Sequence, residues 1–302
     1  MATTVVTPAA PVEYAGGTLA REQVGLWRDG WRRLRRNKLA LVSVFYLIFL
    51  VLVAIISFFW TPYKPNSFGS CLTYATPSAA HPFGCDEYGR DSLSRLMVGT
   101  QVSLAVGVGT ALIVVIVGVT LGLVSGYFRG WIDSVISLVI NIFYGIPALL
   151  VALVLYLLLG PGLFTIMVAI SVTIWMDMAR LVRGQTLSIR EREFIEAARA
   201  SGARAGKMLF GHIFPNALGP IIVQGTFVIP IAILTEAFLA FLGLGLPPPQ
   251  ADWGGMASEG LPAIRFVPHI TLFPSIALSV TLLAFNFFGD GLRDAFDPRQ
   301  KR

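Results

Sequence analysis

LALVSVFYLIFLVLVAIISFFW, residues 39–60, is a stretch of 22 residues without a charge. At about 1.5 Å of rise per residue it crosses the ~30 Å hydrocarbon core of a bilayer as a helix. It outruns the roughly 7–15 apolar residues of a secretory leader, and Trp60-Thr61-Pro62 is no small-residue cleavage site, so it reads as a retained anchor. Five further runs follow, at 102–124, 132–159, 163–179, 217–244 and 270–288. The runs at 132–159 and 217–244 are longer than a straight crossing needs and contain Pro147 and Pro230, which predicts kinks or tilts. The expected fold is all-α, a polytopic membrane bundle of six transmembrane helices.

Composition agrees. Of 302 residues 55% are hydrophobic and 13% charged, against about 45–50% and about 25% in soluble domains. The mean hydropathy of +0.71 excludes a disordered chain and a water-facing globule. The net charge of +6 would suggest nucleic acid on a soluble protein. Here the basic residues lie between apolar runs, where they set orientation, so no nucleic-acid partner is expected. With both ends on one face, that face receives 19 Lys and Arg and the other only Lys64, Arg90, Arg95 and Arg265. Both termini and the segment 180–216 are therefore expected on the cytoplasmic side of a bacterial or archaeal plasma membrane.

This divides the chain into a cytoplasmic tail with a basic membrane-surface segment (1–38), a first transmembrane helix (39–60), an extracytoplasmic loop (61–101), a core (102–292) and a cytoplasmic tail (293–302). Residues 1–20 carry no helical period, while 19–38 are basic and contain Trp27 and Trp31, which suits a helix on the inner membrane surface in contact with lipid.

Within the core, Gly118, Gly122 and Gly126 recur every four residues, a small-residue face that lets a neighbouring helix approach closely. Two acids interrupt the apolar runs. Asp177, near the cytoplasmic end of its run, is expected to pair with Arg180 one turn on. Glu236, about 12 Å inside the end of its run by helix rise, either faces a wet cavity or is hydrogen-bonded between helices, and with Asn286 it is a candidate for a translocation pathway.

The segment 193–215, EFIEAARASGARAGKMLFGHIFP, has the composition of helix rather than loop. Strong helix formers over 193–200 end at Ser201-Gly202, and a second helical stretch follows in which Leu209 and Ile213 repeat at four. A short helix, a tight glycine turn and another helix below the membrane present a narrow apolar face that asks for a partner.

Glu196-Ala197-Ala198, then Gly202, then Phe214-Pro215 resembles the EAA signature of ABC-transporter inner-membrane permeases. PNALGPIIVQ (215–224), EAFLAFLGLG (236–245), PPPQADWGGM (247–256), FGDGLRDAFDPR (288–299) and HPFGCDEYGRDSLSRL (81–96) are similar to the dipeptide, oligopeptide and nickel branch, and within it to C-type subunits of dipeptide permeases. His212, Phe214 and Cys85 depart from its usual Ile, Leu and Thr. The resemblance implies that 190–215 is an ATPase-coupling segment with Gly202 as its pivot. It also implies a second homologous permease, two ABC ATPase subunits carrying ATP and Mg, and an extracytoplasmic binding protein that delivers substrate, of which peptide is the expected class. No GxxxxGK[ST] occurs, so this chain has no phosphate cradle of that kind and ATP hydrolysis is expected on the partners.

Cys71 and Cys85 both fall in the outer loop, where disulfides persist. A bridge between them would restrain the unfolded chain by roughly 3 kcal/mol in the loop-entropy model, and two free thiols are the alternative. No metal site is expected, since CxxC and His-rich spacings are absent. No catalytic residue is expected either: HExxH and GxSxG are missing, and His81, His212 and His269 are far apart in sequence. The competing class is an ion-coupled secondary carrier working through Glu236 and Asp177.

Overall fold

The computed structural model describes residues 32, 34–35 and 37–296. The predicted tail, most of the basic surface segment and the C-terminal six residues lie outside these. The helices are α1 (Lys38–Phe59), α2 (Ser92–Phe128), α3 (Gly130–Tyr144), α4 (Ala148–Leu159), α5 (Leu163–Arg190), α6 (Glu193–Ala200), α7 (Ala205–Met208), α8 (Phe214–Leu239), α9 (Trp253–Gly260) and α10 (His269–Phe296). Among the described residues the architecture is all-helical, with five helices long and apolar enough to cross a membrane, or six crossings if the bent pair α3 and α4 counts as one.

Hydropathy located these helices but not their ends. α1 starts where Asn37 accepts the backbone N–H of Ala40 at 3.2 Å. α2 begins ten residues before its apolar run, because Asp91 caps it by accepting the N–H of Ser94 at 2.8 Å. The final ten residues of the expected outer loop are therefore helix. The run 132–159 is two helices meeting at 91°. Pro147 has no N–H to continue the ladder, so α3 stops at Tyr144 and a new helix starts after Pro147. Pro220 and Pro230, in contrast, sit inside α8 without ending it. α8 is also continuous with α7 through a π turn at Leu209–Ile213, giving one helical unit over Ala205–Leu244. The second half of the segment 193–215 is thus the end of a spanning helix and not a separate element.

α2 and α5 form the centre of the bundle. The glycine face of α2 makes this contact: a β-carbon on Gly118 would lie 2.6 Å from Cβ of Met178, one on Gly122 2.6 Å from the Ala179 carbonyl oxygen, and one on Gly126 2.7 Å from Cβ of Thr186. Val114, Leu123, Met178, Val182 and Ala217 fill the half of the core nearer α6, and Val106, Ile166, Ile170, Ala232 and Leu239 the other half. α1 is peripheral and mostly exposed, held between α2 and α10 by Leu50 and by a Tyr46 Oη to Thr281 Oγ1 hydrogen bond at 3.1 Å.

Candidate functional site

α6 projects beyond the end of α5 and is fixed at both of its own ends. Before it, Arg190 donates to the Tyr127 carbonyl at 2.7 Å and Arg129 pairs with Glu191 at 3.2 Å, tying the tip of α5 to that of α2. After it, Gly202 takes φ +79°, its N–H bonds to the Arg199 carbonyl at 3.0 Å, and the Ala203 N–H reaches back to the Ala198 carbonyl at 3.1 Å. This pair of bonds is a Schellman ending, which uses up carbonyls the helix would otherwise leave bare and sets the angle at which the chain leaves. Glu193 and Glu196 in the first turn and Arg199 in the last complement the helix dipole.

Part of the apolar side of this segment is already covered by its own chain, while Phe194 and Phe210 stay exposed. Ile195, Met208 and Ile213 are fully buried and Leu209 nearly so, in the same core as Met178 and Val182, with Ala198 and Phe214 packed against them. What remains outward is the opposite face of α6: Glu193, Glu196, Ala197 and Ala200, all exposed at helical spacings of three and four. Two acids beside two alanines make a charged, shallow surface with no bulky side chain between them. Gly202 and Pro215 are exposed beside it.

A second polar site, at the opposite end of the bundle, went unread in the sequence. The Arg95 guanidinium, 1% exposed, donates to Glu259 at 2.8 Å, and Arg90 donates to Glu259 at 3.0 Å and to Asp86 at 2.6 Å. Burial outweighs both arginines and holds the Glu259 carboxyl above the usual range; burial likewise raises Asp252, despite the Gly255 N–H it accepts at 2.6 Å. These pairs clamp the connection between α8 and α10 onto the start of α2, with Trp253 fully buried beneath. The signal was present in the charges of DEYGRDSLSR (86–95), which find their partners only through contacts 164 and 169 residues distant.

Next to this cap, Cys71 and Cys85 are joined, with Cα atoms 6.5 Å apart. His81 Nδ1 meets Asp91 at 2.8 Å. The one trio spaced to hold a metal among the described residues, Cys71, His81 and Cys85, has its two sulfurs bonded to each other. Glu236 is enclosed beside Ser103 and Asp252, 1% exposed, and lines no open surface. Asn286 is exposed on α10 and donates to the Leu282 carbonyl of its own helix at 2.8 Å. The structure does not bring these two together. Nor does Asp177 pair with Arg180 as expected: it accepts from the Tyr144 hydroxyl, while Arg180 donates to Asn141 at 2.8 Å and lies over the Tyr144 ring at 4.2 Å. Both find partners on α3, which crosses α5 at this level.

Residues 118–302, including α6 and the cap's second half, match the family model described as binding-protein-dependent transport system inner membrane component. The chain belongs to this family. Residues 25–78 of the permease also match the N-terminal transmembrane domain of oligopeptide transport permease C. Among curated relatives, it is 45% identical to the dipeptide transport system permease protein DppC of Bacillus subtilis over 94% of this chain and 89% of the relative. It is 39% identical to the oligopeptide transport system permease protein OppC of the same organism, over 98% and 97%, and 44% identical to the glutathione transport system permease protein GsiD of Salmonella paratyphi A, over 91% of each. Among solved structures, one of the MetNI methionine ABC transporter in inward-facing conformations superposes with a TM-score of 0.55 at 20% identity, covering 66% of this chain and 96% of that one, a likeness of fold. The permease is a pore subunit of a binding-protein-dependent importer and not an enzyme; ATP hydrolysis belongs to separate subunits.

Proposed function

We propose that this permease forms half of the translocation pore of an importer for di- or oligopeptides, paired with a second homologous permease. Two ABC ATPase subunits, which bind ATP and Mg, dock beneath through α6, and an extracytoplasmic binding protein delivers the peptide. Both termini face the cytoplasm. Peptide as the substrate class follows the names of the relatives.

The observation that carries this reading is the outward face of α6, Glu193, Glu196, Ala197 and Ala200, standing clear of the bundle while its reverse side is locked into the core. A docking helix must convert a partner's movement into movement of the spans. Because Ile195, Met208 and Ile213 share one packed cluster with Met178 and Val182, a displacement of α6 is passed to α5 and α8 instead of being lost in a loose linker. Ala197 and Ala200 admit close approach, and Glu193 and Glu196 suit basic groups on the partner. The ion-coupled carrier would need Glu236 and Asp177 on a common route, whereas Glu236 is enclosed and Asp177 lies on an exposed face with other partners.

The test is purification of the tagged chain in mild detergent, with mass spectrometry and an ATPase assay. A second permease and two ATPase subunits should be recovered, and Glu196→Lys, which reverses the charge of the docking face, should abolish their recovery or peptide-stimulated hydrolysis while leaving the permease in the membrane. A chain that purifies alone under several gentle conditions, or a Glu196→Lys transporter with full uptake, would overturn the reading.

A further inference from the structure

Asp177 occupies the midpoint of a 28-residue spanning helix, about 20 Å from either end by helix rise. It is exposed, and so are Arg180, Gly184 and Ser188. Spacings of three, four and four place these residues on one face of α5, a polar stripe about 16 Å long. The groups that meet its upper end, Tyr144 and Asn141, are exposed too. Asp177 and Arg180 are level with Gly118 and Gly122, which pack on Met178 and Ala179 inside the apolar run 102–124 of α2, and charges within the apolar length of a bundle occur where a helix faces the bundle interior or a water-filled cavity. The peripheral surface of α1 shows the contrast, since it offers Phe45, Phe49, Leu52 and Ile56.

A second, independent feature lies at the same level. The break between α3 and α4 exposes Gly145, Ile146 and Pro147, where the backbone is not helical. Irregular backbone at membrane depth is stable only when covered by protein or facing water. This chain does not cover it. Asp177 and Arg180 are also not sealed to each other as a pair at a dry contact would be; each keeps hydrogen-bonding capacity beyond its single bond to α3.

We infer that the stripe Asp177, Arg180, Gly184 and Ser188, with Tyr144 and the broken turn after it, lines the aqueous route through which the solute crosses, and that it suits a zwitterion with free amino and carboxyl groups. The inference rests on the import reading and deepens it. Asp177 offers a carboxylate to an ammonium group, Arg180 a planar donor pair to a carboxylate, and the Tyr144 ring a flat surface between them. The route therefore runs along α5 and not past Glu236.

The experiment uses the assembled transporter with Gly184→Cys or Ser188→Cys, small changes outside both hydrogen-bonded pairs, and Ile116→Cys on the exposed apolar surface of α2 as control. A positively charged methanethiosulfonate reagent should label positions 184 and 188 at least tenfold faster than position 116. Arg180→Gln should lower uptake of Ala-Ala at least tenfold in complexes recovered at normal yield, with Arg180→Lys partly restoring it. Positions 184 and 188 that react in the isolated chain but are shielded in the complex would assign the stripe to the permease–permease interface and overturn the inference, as would full uptake by Arg180→Gln. Failure to recover a second permease and ATPases would overturn the import reading and this inference with it.

Discussion

Arg95 and Glu259, 164 residues apart in sequence, meet at 2.8 Å and join the first turn of α2 to the last turn of α9. The arginine is 1% exposed and the glutamate side chain 31%. Removing one partner of a buried pair costs about 3–5 kcal/mol; the partial exposure of Glu259 reduces this, so Glu259→Ala should destabilise the cap by about 2–3 kcal/mol. Thermal unfolding in detergent, with protease cleavage of the connection 245–268 as the local readout, measures it. A melting temperature unchanged from wild type would show that the arginines are satisfied without Glu259.

The same carboxyl gives the cap a pH dependence. Glu259 and Asp252 are raised by burial, above 4.5 and 3.8 respectively, so the folded state holds these protons more tightly than the unfolded chain. Their contribution is fully present below those ordinary values and is lost as pH rises through the folded values. The cap should thus be more resistant to unfolding at pH 5 than at pH 7, and the difference should shrink in Glu259→Gln and Asp252→Asn. A wild-type cap that loosens steadily from pH 7 to pH 5 would contradict the sign.

Gly122 and Gly184 make a matched pair. A side chain at Gly122 meets the Ala179 carbonyl and Val182, so Gly122→Val should force α2 from α5 and cost about 3 kcal/mol or more, read as loss of folded protein in detergent. Gly184 has nothing within 4 Å of a β-carbon, so Gly184→Ala should gain about 0.5–1 kcal/mol through helix propensity alone. Equal effects of the two would remove the packing argument.

At Gly202 there is open space but a left-handed backbone, so any penalty is conformational. Gly202→Leu should cost about 1–2 kcal/mol and Gly202→Asn less, since Asn tolerates that conformation. If coupling depends on the exit angle of α6, peptide-stimulated ATPase activity should fall in Leu and be largely kept in Asn. Identical loss in both would mean that the glycine itself touches the partner.

Breaking the Cys71–Cys85 bond with Cys71→Ser should cost roughly 3 kcal/mol by loop entropy, and open the loop 61–91 to protease. Equal alkylation by a membrane-impermeant thiol reagent before and after reduction would show two free thiols instead.

Helix positions and the short helix before Gly202 were legible because each rests on local chemistry: uninterrupted apolar runs, a glycine period, a helix ended by Ser201-Gly202. Span ends were not, since Asp91 extends α2 by a cap, and α5 runs eleven residues past its apolar stretch on polar residues that face outward. The partner of Asp177 was not legible for a related reason: Arg180 stands one turn on in the sequence, but tertiary folding brings Tyr144 of α3 to Asp177 and Asn141 to Arg180. The cap could not be read at all, because Arg90 and Arg95 acquire Glu259 only through tertiary folding.

The contact between Tyr46 and Thr281 spans 235 positions of the chain. Ribosomal synthesis at about 5–20 residues per second leaves the first helix waiting roughly 10–50 s for the last one. During that interval Tyr46 has no Thr281 to bond, and the alanine at position 40 has no Gly291 to nest against. The closing strut of the bundle is its last-made part: until α10 arrives the first helix is held by α2 alone, through Ser57, which bonds the Met97 carbonyl at 3.1 Å.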